Sequence, residues 1–75
     1  MTKEINIGDI VVATKGTSLR YYLVTEIIEN YIKCQEVDKE FNIIKQSRGH
    51  KYRKIRLSDC FLHSKKDKDK YIKVL

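Results

Sequence analysis

With 75 residues the chain has room for one domain and a small core, which argues against a deep substrate cavity and puts any function on the outer surface. Its hydrophobic content of 41% is ordinary and its charged content of 35% is high, while five Tyr, two Phe and many Ile and Val argue against a disordered chain. The net charge of +6 is uneven: residues 1–19 are neutral, 20–44 carry −2, and 45–75 carry eleven basic groups against three acidic ones. Such asymmetry is the mark of an anionic partner, or of lysines that only keep a small protein soluble.

Met1 to Asn6 is mostly polar and does not read as a signal peptide. No run reaches the roughly 18 apolar residues of a membrane span. Cys34 and Cys60 are too few for a disulfide scaffold and read as reduced thiols in a cytoplasmic protein.

Along the chain, Gly8-Asp9 is turn chemistry, and the β-branched run after it predicts a strand over Ile10 to Ala13. Thr14 to Leu19 is a polar loop. Arg20 to Ile28 and Tyr31 to Val37 predict a hairpin closed by Glu29-Asn30, a turn that requires positive φ, which Asn tolerates and for which Glu is a less usual first residue. Its register pairs Ile28 with Tyr31, Ile27 with Ile32, Glu26 with Lys33, Thr25 with Cys34 and Tyr22 with Val37.

Asp38-Lys39-Glu40 predicts a turn, Phe41 to Gln46 a strand, and Ser47 to His50 another turn. Lys51 to Leu57 resumes extended structure, with Ile55 and Leu57 on one face and Tyr52, Lys54 and Arg56 on the other. Ser58-Asp59 predicts the cap of a helical turn through Cys60-Phe61-Leu62. Residues 64–70 read as a charged loop and 71–75 as a short closing strand, or a loose tail.

Short strands at close spacing predict an all-β fold, a small five-stranded SH3-like barrel formed by one domain over residues 1–75, with its core at about 7–62. Gly8-Asp9-Ile10-Val11-Val12-Ala13, Tyr22, Val24, Ile32, Cys34, Asp38, Leu57-Ser58-Asp59 and Leu62 resemble the layout of Tudor-like and related SH3-like barrels. That resemblance implies the fold, and it raises an aromatic cage for methylated side chains as one reading of Tyr21, Tyr22, Tyr31, Phe41, Tyr52, Phe61 and Tyr71. Core and sheet-face positions are the simpler reading of the same rings.

The main functional signal is Lys45, Arg48, Lys51, Arg53, Lys54 and Arg56: six basic residues in twelve positions with no acid among them, and His50 and Tyr52 inside the run. Positive charge binds phosphates by releasing counterions, and Tyr52 is placed to stack on a base. The expectation is a non-enzymatic binding module that meets DNA or RNA backbone through this hairpin, or alternatively an acidic protein. Lys65, Lys66, Lys68, Lys70 and Lys73 form a second basic segment, diluted by Asp67 and Asp69.

No cofactor and no metal are expected. Cys60 and His63 share a face only on a helical turn, and they lack the second ligand pair of a zinc site. Asp59, Cys60 and His63 lack an oxyanion turn, so no catalytic set is assigned. Glu36, Asp38 and Glu40 read as solvated or ion-paired.

Overall fold

The computed structural model describes residues 5–44, 52–67 and 69–74. Its first feature is a tight turn whose residue types dictate its shape. Asp9 N–H donates to the Asn6 carbonyl at 3.1 Å, and Gly8 takes φ +95°, as the third position of a type II turn requires. The Asp9 carboxylate, only 4% exposed, accepts the Asn6 N–H at 2.8 Å, so its burial is compensated.

From this turn the chain enters β1 (Ile10–Lys15), then β2 (Ser18–Ile28), β3 (Tyr31–Val37), β4 (Arg53–Arg56), a one-turn 3-10 helix (Leu57–Asp59), β5 (Cys60–Asp67) and β6 (Lys70–Lys73). Among the described residues the fold is all-β: one antiparallel sheet in the order β4-β3-β2-β1-β5-β6. The expectation of five strands in a closed barrel differs from this sheet, which has six strands and is not closed.

The sheet is nonetheless strongly curled. Val11 and Ala13 of β1, Tyr22 and Val24 of β2, Ile32 and Cys34 of β3, Ile55 of β4 and Cys60 of β5 form one buried cluster. In a flat sheet β4 and β5 would stand four strand spacings apart, roughly 19 Å, too far for Ile55 and Cys60 to share a core. Curling the sheet around these residues brings them together.

Part of that curvature arises in the β2–β3 hairpin. Ile28, Ile27 and Glu26 pair with Tyr31, Ile32 and Lys33 as expected. An irregularity at Thr25 then shifts the register, so that Val24 faces Cys34, Tyr22 faces Glu36 and Tyr21 faces Val37. The expected pairs Thr25–Cys34 and Tyr22–Val37 are thereby corrected. A straight register would have turned Tyr22 and Val24 away from the face that holds Ile32 and Cys34; the extra residue turns them in and bends the strand. The two-residue turn falls at Glu29-Asn30 as expected, and the positive φ (50°) is carried by Glu29.

Three further expectations are revised. The polar loop after β1 is a two-residue turn, Gly16-Thr17, since Lys15 and Ser18 already pair. The helical turn sits at Leu57–Asp59, before Cys60, and residues 64–67 continue β5 because Ser64, 1% exposed, packs beside Ile10 as its strand partner. The strand expected over Phe41 to Gln46 is reduced to one bridge, Val37–Ile43, with residues 45 and 46 outside the described residues, as is the Ser47–His50 turn. The closing strand is present as Lys70–Lys73 on the edge of β5.

The outer face carries a second apolar layer at one end. Ile10 and Val37 are buried yet lie outside the main cluster, on the face that alternation assigns to Val12, Tyr21 and Leu23. Beside Tyr21 the rings of Phe41, His63 and Tyr71 pack edge to face, with centroids 4.8–6.4 Å apart in the touching pairs. Phe41 reaches this position from a backbone at φ 66°, in a loop that Asp38 holds by accepting the N–H groups of Glu40 and Asn42.

Candidate nucleic-acid interface

The other end of the outer face is basic. Alternation along β4 sends Ile55 into the core and Lys54 and Arg56 outward, as the sequence predicts, and Tyr52 is 56% exposed. Cross-strand pairing sets Arg56 opposite Tyr31 and Lys54 opposite Lys33. Lys54 Nζ lies 5.6 Å from the Tyr31 ring centroid and Arg56 Cζ 6.0 Å, both within cation–π range.

Lys33 is neutralised by Glu26 at 3.6 Å. Neither Lys54 nor Arg56 forms an ion pair among the described residues. Hydrogen bonding to Tyr31, with a smaller contribution from the Asp59 carboxylate, raises Arg56 above its ordinary range. Two shallow clefts flank the Tyr31–Arg56 pair. One, of about 310 Å³, is lined by Thr14, Arg53, Lys54 and Asp59 among others; the second, of about 440 Å³, adds Asn30, Leu57 and Ser58.

Arg53 has a different position from its neighbours. It points inward, donates to the Tyr22 hydroxyl and, at 3.2 Å, to the Thr14 carbonyl, with its guanidinium carbon 5.2 Å from the Tyr22 ring centroid. It therefore ties β4 to β2 and β1 across the mouth of the curl. Lys45, Arg48 and Lys51 lie outside the described residues. Of the seven residues expected at the interface, the structure places Lys54, Arg56 and Tyr52 on the surface and Arg53 at the mouth of the core.

The sequence names Tyr31 among the rings weighed for an aromatic cage but not as part of the basic face, where it stands beside Lys54 and Arg56. Its outward position was legible from the hairpin register, but its nearness to Lys54 and Arg56 depends on β3–β4 pairing across a long connection. The second basic segment stays separate in the sheet order: Lys65 and Lys66 of β5 and Lys70 and Lys73 of β6 lie at the edge opposite β4.

The remaining candidates are dispersed. Cys60 is fully buried on β5, where an extended strand turns His63 toward the Tyr21 and Phe41 rings instead. The Cys34 thiol donates to the Arg53 carbonyl at 3.3 Å, and burial pushes its pKa up to about 12, which leaves it a poor nucleophile. Glu36 pairs with Lys15 at 3.5 Å and Arg20 at 3.9 Å, while Asp38 is engaged in its own loop. Among the described residues no helix is long and apolar enough to cross a membrane.

Compared with known proteins, the chain matches no family model, no curated protein and no solved structure.

Proposed function

We propose that this chain is a non-enzymatic binding module whose outer β3–β4 face meets the phosphate backbone of DNA or RNA. The observation that carries the reading is the placement of Lys54 and Arg56 beside Tyr31, both solvent-facing and neither in a direct ion pair among the described residues, with Asp59 the carboxylate that acts on Arg56. Such cations attract phosphates and release their counterions, with little demand on base sequence. Lys45, Arg48 and Lys51 belong to the same basic run and add to the long-range attraction.

On this reading the scaffold is a variant of the SH3-like plan. The order β4-β3-β2-β1-β5, with a 3-10 turn between β4 and β5, supports that relation, and β6 is an addition to the β5 edge. An acidic protein is the competing partner for the same charges.

The test is charge reversal. Lys54→Glu with Arg56→Glu abolishes binding to a labelled oligonucleotide at low salt and leaves the melting temperature within a few degrees, because both side chains are exposed. Undiminished binding by this variant rejects the face.

A further inference from the structure

We infer that the nucleic acid taken by this face is single-stranded, with one base seated on Tyr31 in the cleft formed by Asn30, Leu57 and Ser58. This rests on the nucleic-acid reading above and adds the form of the ligand.

The argument begins with ring faces. In a duplex every base is stacked on its neighbours, so an aromatic side chain finds a bare base only in an unpaired strand. Tyr31 is 38% exposed on the side of the sheet that carries Lys54 and Arg56, and Tyr52, just before β4, is 56% exposed. Interleaved rings and cations are what an unpaired strand can use in full, since its bases and phosphates are accessible together. A duplex would use only the cations.

The shape of the surface agrees. Tyr31 and Arg56 border two clefts, one lined by Lys54, the inward-turned Arg53 and the Asp59 carboxylate among others, the other lined by Asn30, Leu57 and Ser58. In the second cleft Leu57 supplies an apolar wall, while the Asn30 amide and Ser58 hydroxyl supply donors and acceptors for a base edge. The Leu57 N–H donates to the Asn30 carbonyl at 2.8 Å, which ties the two walls together. Lys54 and Arg56 both lie over the Tyr31 ring, so a base that stacks there displaces one of these long side chains from the ring face onto a neighbouring phosphate.

The probes are a fluorescein-labelled twelve-nucleotide oligo-dT and a duplex of the same length, each titrated at low salt. The single strand is expected to bind about ten-fold more tightly, and Tyr31→Ala to remove that advantage while leaving the salt slope intact, at roughly the cost of one lost stacking contact. Tyr31→Phe retains the preference, and equal melting temperatures for Tyr31→Ala and Tyr31→Phe show that the loss is not unfolding. Equal affinity for strand and duplex, both lost in the Lys54→Glu, Arg56→Glu variant, overturns this inference and leaves the proposed function standing. No binding to either probe overturns both.

Discussion

The Arg53 guanidinium donates to the hydroxyl of Tyr22, a side chain that is itself only 1% exposed. One residue of the basic run thus serves the fold while its neighbours face solvent. Arg53→Ala leaves the Tyr22 hydroxyl and the Thr14 carbonyl without this donor and is expected to lower stability by about 1.5–3 kcal/mol, the range for hydrogen bonds to charged groups. Arg53→Lys recovers only part of this, because an ammonium cannot reproduce the planar fork. Urea unfolding of the two variants beside Lys54→Ala, which is expected to unfold like the parent, separates the inward residue from the outward one.

Of the three non-glycine residues with a left-handed backbone among the described residues, Glu29 and Phe41 should respond with opposite signs. Glu29 is exposed at φ 50°, so Glu29→Gly relieves the steric cost of that conformation and raises stability by roughly 0.5–1 kcal/mol after the entropy of glycine is subtracted. Phe41→Gly gains the same relief at φ 66° but forfeits ring contacts with Tyr21, His63 and Tyr71, each worth about 0.5–1.5 kcal/mol. Its melting temperature is expected to fall.

At the irregularity in β2 the Thr25 hydroxyl donates to the Lys33 carbonyl at 3.0 Å. Thr25→Val keeps the shape and loses the bond, for a cost of about 1 kcal/mol, whereas Thr25→Ser keeps the donor. Amide exchange at residues 32–34 should quicken in the Val variant and stay near the parent rate in the Ser variant.

Stability should also depend on His63. Burial in its ring cluster, with a smaller contribution from the charge of Lys73, lowers its pKa below the ordinary 6.5. The unfolded chain therefore binds a proton more readily, and the contribution of His63 is full above about pH 6.5 and declines as pH falls toward the depressed folded value. Urea midpoints between pH 5 and 8 should drop on the acid side, and His63→Phe should flatten that drop. An unchanged pH profile in His63→Phe would assign the acid sensitivity to other groups.

How far the chain could be read in advance varied with the range of the interactions. The Gly8-Asp9 turn, β1 and the tip of the β2–β3 hairpin rest on local chemistry and were legible. The register shift at Thr25 was not, since a β-branched polar residue suits a regular strand as well as a bulge. Residues 64–67 read as a loop because their charges hide the one buried side chain there, Ser64. At the candidate interface, the outward positions of Lys54 and Arg56 were legible from alternation, whereas the nearness of Tyr31 and the inward turn of Arg53 follow from pairings between segments distant in sequence.

The salt dependence of oligonucleotide binding tests the central claim most directly. For single strands log K should fall linearly with log salt at about 0.7 per cation engaged, so Lys54→Ala with Arg56→Ala should reduce the steepness by about 1.4. A chain that binds no oligonucleotide at low salt, or whose slope is untouched by removing these two charges, contradicts the account.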